Sequence, residues 1–239
     1  MASTLLGTDP PVLPGRVLVR AAALFGISEG AARVALSRMV AAGELAGDDG
    51  VYRLAGARLL ERQARQRASR RAATGRWDGT WVLAVVVAER RDAADRVELR
   101  DRLRVARLAE LREGVWLRPD NLDVTWPAVV AEHCTIVTHA HVDTSIAATL
   151  WDLDRWAAEA DALRAEMDEL TPRLEAGETD ALAPGFVTSA AVLRHFQADP
   201  LLPAALLPAS WPGGALRDEY DRFDGAYRRV LRDWFRANR

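Results

Sequence analysis

Residues 26–54 read GISEGAARVALSRMV, AAG and ELAGDDGVYRL, and they carry the clearest structural pattern in the chain. Ser28 is placed to accept a hydrogen bond from the first turn of a helix, and Glu29 follows where the helix dipole favours an acid. One buried stripe is predicted at helical spacing, formed by Ala32, Leu36, Met39 and Val40. Gly43 ends the predicted helix.

Two short extended runs follow this helix, residues 44–47 and 51–54, around the turn sequence Asp48-Asp49-Gly50. Only Gly26 and Ile27 separate the helix from the one before it, so the turn between the two helices is short. A helix followed at once by a tight hairpin is typical of the recognition helix and wing of a winged helix-turn-helix. The pattern therefore predicts a DNA-binding head.

The predicted DNA-binding face lies opposite the buried stripe. Arg33 and Ser37 are four residues apart on that face, with Arg38 beside them. Arginine binds guanine bidentately or holds a phosphate, and serine hydroxyls bond phosphates or base edges. We predict Ser28, Arg33, Ser37 and Arg38 as DNA contacts, with Arg53 of the wing touching the backbone or the minor groove. The alternative is that Arg33 or Arg38 packs against an acid within the head.

Charge is distributed unevenly along the chain. Residues 1–76 contain 12 arginines and 6 acidic residues, whereas the remainder contains 20 arginines and 28 acidic residues. The net charge of −2 therefore hides a basic N-terminal part on an acidic remainder. This asymmetry suits a phosphate-binding head, although a solvated surface would also account for it.

Composition indicates a soluble globular protein of the cytoplasm, with 49% hydrophobic and 28% charged residues. The single cysteine, Cys134, excludes an intrachain disulfide and suits a reducing compartment. The longest apolar run, residues 81–88, is too short to span a bilayer, and no secretory signal is visible. We expect no membrane association.

The periodicity predicts an α+β protein. Prolines make residues 1–15 a frayed start with one short turn at residues 4–6, and the next helix has a stripe of Val17, Ala21, Leu24 and Phe25. Residues 55–73 are expected to form a solvent-facing linker helix. Strands at 81–88, 114–118 and 134–143 alternate with helices at 92–111 and 125–132, which favours a small ferredoxin-like sandwich. Helices follow at 151–170, 185–197 and 216–238, with a helical turn and loop over 172–184.

Several segments spread in order over the chain carry a resemblance to a known family. They are LFGISEGAARVALSRMV (24–40), WDGTW (77–81), GVWLRPDNL (114–122), WDL (151–153), DPLLP (199–203) and LLPASWPG (206–213). Together they resemble the PaaX family of bacterial transcriptional repressors, named for control of phenylacetate degradation. The resemblance implies a winged-helix head with its linker helix at 1–74, a middle domain at 75–148 similar to the small ferredoxin-like nuclease of CRISPR systems, and a helical C-terminal domain at 149–239.

The resemblance also implies how such a protein works. It implies a homodimer on a palindromic operator in double-stranded DNA, with release by an acyl-CoA, which is phenylacetyl-CoA in the eponymous members. Trp116 and Arg118, at a strand end, are candidates to stack on the adenine and to pair with a phosphate of such an effector. His139 and His141 are candidates to line the same pocket. No cofactor is expected.

His133, Cys134, His139, His141 and Asp143 form the one metal-like group in the sequence. On a strand, His139, His141 and Asp143 would project to one face and Cys134 to the other. Two histidines two residues apart can hold zinc, but the spacing is not that of a structural zinc site. The chain shows no nucleophile–base pair, so we expect no enzyme. A metal-dependent hydrolase using His139 and His141, and an RNA-binding or adaptor protein on the same fold, remain alternatives.

Overall fold

The computed structural model describes residues 2–8, 10–71, 74–87 and 92–237. The chain forms two compact units. The first unit comprises Met1–Arg71, Ala162–Phe196 and Ala215–Arg239, and the second comprises Ala72–Asp161 and Gln197–Gly214. Most of the C-terminal helices thus pack in the same unit as the N-terminal head, and the division into three domains stays a prediction. Within the described residues, no helix is long and apolar enough to cross a membrane.

The head has the element order of a winged helix. Its elements are α1 (Ala2–Leu6), β1 (Val12–Pro14), α2 (Gly15–Ala23), α3 (Glu29–Ala41), β2 (Leu45–Asp48) and β3 (Val51–Leu54). The three strands form an antiparallel sheet in the order β1-β3-β2. α3 is the predicted recognition helix, and β2 with β3 is the predicted wing.

The buried side of α2 differs from the predicted stripe. Leu18, Val19 and Ala22 point into the head core, together with Ala32 and Leu36 of α3. Phe25 lies beyond the end of α2, is 40% exposed, and packs its ring against Phe186 at 5.1 Å. Val40 at the end of α3 is also exposed, so the stripe of that helix stops at Met39.

Residues 2–8 and 10–15 are more regular in structure than the prolines predicted. Leu5 of α1 is fully buried in the head core, and Pro14 ends a short edge strand, β1. β1 pairs with β3 through Val12 opposite Arg53. An edge strand tolerates proline because one side of its backbone needs no ladder partner. The head therefore has its first helix, in a five-residue form.

The linker helix α4 (Ala57–Arg71) is not merely solvent-facing. Gln63 is buried, and its Nε2 donates to the carbonyl oxygens of Leu5, Leu6 and Thr8 at 3.4, 3.1 and 3.2 Å. These carbonyls lie at the end of α1 and just beyond it, where a helix leaves its last C=O groups without intrahelical partners. α4 therefore caps the first helix with a polar side chain, which is why no apolar stripe marked its buried face.

The second unit contains a four-stranded antiparallel sheet. Its elements are β4 (Trp81–Val86), α5 (Ala93–Val105), β5 (Ala109–Arg112), β6 (Val115–Pro119), α6 (Ala128–His133), β7 (Cys134–Ala140) and α7 (Ala147–Leu150). The strand order is β5-β6-β4-β7, and the chain order is βαββαβ, which is the ferredoxin-like arrangement. Residue 88, the predicted end of the first strand, lies outside the described residues.

The predicted helix over 92–111 was confirmed as far as residue 105 and was wrong over residues 106–111. α5 ends at Val105, because Arg107 adopts a left-handed φ of 65°. Residues from Ala109 onward instead pair with β6, Ala109 opposite Leu117 and Glu110 opposite Trp116. Pairing with a neighbouring strand thus outweighed a run of good helix formers.

The C-terminal helices are α8 (Leu153–Glu175), α9 (Leu182–Ala198) and α10 (Gly213–Ala237). α8 continues through Pro172, where a turn and loop had been predicted. The predicted last helix extended to residue 238, which lies outside the described residues. In the first unit, Tyr220 and Phe223 of α10 are buried, and Tyr220 packs edge-on against Phe196 of α9 at 5.5 Å.

Tyr220 makes the first unit less stable as the pH rises into the alkaline range. Burial, with Asp224 adding to it, raises the pKa of Tyr220 from 10.0 to about 12. The folded protein therefore keeps the phenol proton in a range where the unfolded chain loses it, so rising pH favours unfolding. We expect this group alone to lower the free energy of unfolding by about 3 kcal/mol between about pH 10 and about pH 12.

Urea unfolding at a series of pH values checks this prediction. Burial raises the pKa of Tyr227 in the same direction, so the wild type and Tyr220→Phe should both lose stability, with the variant losing less. Equal slopes for the two proteins would contradict the assignment to Tyr220.

Candidate nucleic-acid interface

The N-terminus of α3 is capped as the sequence predicted. The Ser28 side chain accepts from the backbone N–H of Ala31 at 3.3 Å, and Glu29 lies in the first turn. Ser28, Glu29, Gly30 and Ala31 are all exposed. The first turn of the helix is therefore accessible, and its small residues allow a ligand to approach the backbone.

Arg33 is exposed on α3, but it has a partner. Its Nε and Nη2 atoms both donate to Glu29 Oε1, at 2.8 and 2.7 Å. The side chains are 67% and 66% exposed. An exposed pair four residues apart on a helix contributes only about 0.3–0.5 kcal/mol. The alternative that Arg33 pairs with an acid of the head is thus observed. The interaction energy of this pair is too small to prevent the Arg33 side chain from binding DNA instead.

Ser37 and Arg38 complete the exposed face of α3. The Ser37 hydroxyl donates to the Arg33 carbonyl at 3.2 Å, which leaves its oxygen able to accept a further bond. Arg38 is exposed in the last turn of the helix. The structure therefore presents Arg33, Ser37 and Arg38 on one solvent-facing surface.

The wing has a tight turn with an acidic tip. Asp49 and Gly50 both have positive φ, 45° and 73°, as a two-residue hairpin turn requires. Carboxylates at Asp48 and Asp49 repel phosphates, so the tip itself is a poor DNA contact. Arg53 is exposed on β3, the middle strand of the sheet, three residues beyond the tip.

A groove of about 610 Å³ separates α3 from the wing turn. Arg33 and Ser37 line one side, Asp49, Gly50 and Tyr52 line the wing side, and Arg16 of α2 closes the end. Sequence reasoning did not single out Arg16. Its position at the start of α2, the helix before the predicted recognition helix, could have indicated it. At a helix start, backbone N–H groups and a guanidinium can both face a phosphate.

The groove is held open by a close backbone contact. The Gly15 N–H donates to the Gly50 carbonyl at 2.7 Å, which joins the start of α2 to the wing turn. A Cβ atom at Gly15 would lie 2.7 Å from Tyr52 Cε2, so a larger residue would displace the tyrosine ring. Glycine at this position therefore sets the distance between α2 and the wing.

The predicted effector residues lie in the second unit. Trp116 is buried, with the Arg104 guanidinium 5.8 Å from its ring centroid. Arg118 is 2% exposed, and its Nη1 and Nη2 atoms donate to the carbonyls of Pro119 and Leu122, each at 2.9 Å. Burial lowers the pKa of Arg118. Both residues project from β6, and neither is open to solvent.

The sequence predicted that His139 and His141 share one face of a strand. In the structure they do not. β7 ends at Ala140, and His139 has a left-handed φ of 54°, which interrupts the alternation of side chains. His139 and His141 are exposed, whereas Asp143 accepts from the Ser145 N–H at 2.9 Å as the cap of a short 3₁₀ turn. Within the described residues, no three His, Cys, Asp or Glu side chains are grouped to hold a metal ion.

Comparison with known proteins covers nearly the whole chain. Residues 2–58 match the PaaX-like protein family, residues 74–152 the PaaX protein central Cas2-like domain, and residues 151–237 the PaaX-like protein C-terminal domain. The chain belongs to the PaaX family. This confirms the predicted resemblance, and the Cas2-like match confirms the α+β class with a ferredoxin-like centre.

A solved structure supports the same relationship. The PaaX family chain is 40% identical to the uncharacterized protein Rv0674 from Mycobacterium tuberculosis, with a TM-score of 0.75. The similarity covers 97% of this chain and 95% of that chain. No protein of curated function is significantly similar to the chain. PaaX proteins are transcriptional regulators, so the exposed face of α3 belongs to a regulator.

Proposed function

We propose that this PaaX family member is a transcriptional repressor that binds double-stranded DNA through the head and is released by a small-molecule effector. The observation that carries the proposal is the exposed side of α3, which presents Arg33, Ser37 and Arg38, with Arg33 and Ser37 lining a groove that leads to the wing. An α-helix with this face fits the major groove, where arginine recognises guanine. The proposal assigns no catalytic residue.

We place one phosphodiester strand against Arg16, on the α2 and α3 side of the groove, because the Asp49 carboxylate on the wing side repels phosphate. The strand that separates a major from a minor groove would then pass Arg16, while α3 enters the major groove. Arg53 of the wing would reach the backbone beyond it. Ser28 would cap the helix by accepting from Ala31 and would keep its hydroxyl hydrogen to donate to a phosphate.

We propose a homodimer on a palindromic operator, as the resemblance to the PaaX family implies. Winged heads read half-sites about one helical turn of DNA apart, so two copies are needed for a palindrome. An effector that binds one arrangement of the two heads more tightly than the other would shift the population away from the DNA-bound form. Repression and release would then share a single equilibrium.

We propose an anionic effector, a CoA thioester, bound around Trp116 and Arg118, with His139 and His141 at the periphery. Arg118 supports this class because it is buried and its Nη1 and Nη2 atoms donate to the backbone carbonyls of Pro119 and Leu122. A buried guanidinium without a bonded carboxylate is poorly compensated, and a phosphate would compensate it. Effector binding would require β6 and its neighbours to open at this strand end.

One titration tests the proposal. A labelled duplex from the region upstream of the gene is bound at several salt concentrations, and phenylacetyl-CoA or free CoA is then added. We expect log K to fall linearly with log salt, a scrambled duplex to bind at least about 1,000-fold more weakly, and the thioester to release the DNA. Equal binding of both duplexes, or binding independent of salt, would contradict the repressor proposal. DNA binding unaffected by the thioester would contradict only the effector.

A further inference from the structure

We infer that Glu29 is a positioning residue, which holds the Arg33 guanidinium in the orientation that recognises a guanine in duplex DNA. The inference rests on the proposed DNA-binding function and names a base that the head reads. It arises from an acid on the face of α3 that otherwise presents arginines and a serine.

The position of Glu29 is set by the helix itself. It is the first residue of α3, directly after the Ser28 cap, so its backbone is held by a satisfied helix start. From there the carboxylate reaches one turn along the helix to Arg33. A fixed acid four residues before an arginine restricts the rotamers of a long side chain that is otherwise two-thirds exposed.

The hydrogen bonds leave the useful edge of the guanidinium available. Both bonds use Nε and one N–H of Nη2, and both end on Glu29 Oε1. Arginine has five N–H donors in a rigid fork, so the edge formed by Nη1 and the remaining N–H of Nη2 faces away from Glu29. That edge matches the paired acceptors O6 and N7 of guanine in the major groove. Glu29 and guanine can therefore bind opposite edges of the same guanidinium.

An acid at this place is otherwise unfavourable for the function. Glu29 lies on the face that meets a polyanion, where its charge repels phosphates. Its exposed pair with Arg33 adds little to folding, and favourable interaction with the helix dipole accounts only for stability of α3. Those two structural roles predict no effect on which base is preferred, and the positioning role does.

The experiment selects bound sequences from a pool of random duplex DNA long enough for two half-sites. The wild type, Glu29→Ala, Arg33→Ala and the control Glu44→Ala are compared by sequencing. Glu44 is an exposed acid just before β2, so its removal changes the net charge of the head equally without touching α3. We expect the wild type to prefer guanine over adenine at one half-site position by about five- to 150-fold.

Arg33→Ala is expected to abolish that preference, and Glu29→Ala to reduce it at the same position by about twofold. Glu44→Ala should leave it unchanged. If Glu29→Ala tightens binding to all duplexes and retains the guanine preference, Glu29 only repels phosphate and the inference is overturned. If the wild type binds no duplex at all, the proposed DNA-binding function fails. If the wild type binds DNA and Glu29→Ala selects the same sequences, only the inference about Glu29 fails.

Discussion

The double variant Arg33→Ala, Arg38→Ala is expected to bind its operator duplex at least about 30-fold more weakly than the wild type. Each guanidinium that reads a base contributes about 1–3 kcal/mol of discrimination, and the two lie on one exposed face of α3. Binding to a scrambled duplex should fall far less, so the ratio of the two affinities is the diagnostic quantity. Fluorescence anisotropy titration of both duplexes measures it.

Arg16→Ala provides the contrast between reading a base and holding a phosphate. We place Arg16 at the end of the groove against the backbone, so its loss should weaken both duplexes alike and reduce the slope of log K against log salt by about 0.9. The control is Arg96→Ala, which removes the same charge from an exposed position on α5, outside the head.

An operator affinity unchanged in the double variant Arg33→Ala, Arg38→Ala would remove Arg33 and Arg38 from the DNA interface.

Asp224→Ala is expected to lower the free energy of unfolding of the first unit by about 2–3 kcal/mol. The Asp224 carboxylate is buried and accepts from Arg70 Nη2 at 3.0 Å and from Arg228 Nε at 2.8 Å. Arg228 also donates to the Gly7 carbonyl at 3.0 Å, so one carboxylate joins α4, α10 and the end of α1. Removing a buried partner leaves charges uncompensated, at about 3–5 kcal/mol when fully buried. Both guanidinium groups are partly exposed, which reduces the cost.

Asp221→Ala is the matched control for this prediction. Asp221 bonds the same Arg70 Nη2 at 3.0 Å, but its side chain is 72% exposed. Its loss should cost about 1 kcal/mol or less. Urea unfolding of both variants gives the two values. Similar stabilities for Asp224→Ala and Asp221→Ala would show that burial of the Asp224 carboxylate does not matter here.

The candidate site was predictable where its signals are local. The Ser28 cap, the start of α3 and the positive φ at Asp49 and Gly50 each depend on a few neighbouring residues. Arg33, Ser37 and Arg38 were placed on the exposed face because helical periodicity alone decides which side of α3 packs inward. The pairing of Arg33 with Glu29 is local as well, since four residues make one helical turn.

Partners distant in the sequence decided the remainder. Arg16 lines the groove beside α3 because the start of α2 is bonded to the wing turn, 35 residues away. Residues 109–112 form a strand because β6 offers an unpaired edge, not because their own propensities favour extension. The effector residues were the least predictable, since burial of Trp116 and Arg118 depends on everything packed around β6.

Residues 26–54 determined by themselves that this chain has a capped helix followed by a tight hairpin, because caps, helical stripes and two-residue turns are short-range interactions. Tertiary structure alone decided that Gln63 caps the first helix and that Asp224 of α10 accepts from Arg70 of α4. Both are polar residues, and no periodicity marks a buried polar side chain. Gln63 is buried because folding brings backbone carbonyls to its amide, and Asp224 because folding brings guanidinium groups to its carboxylate.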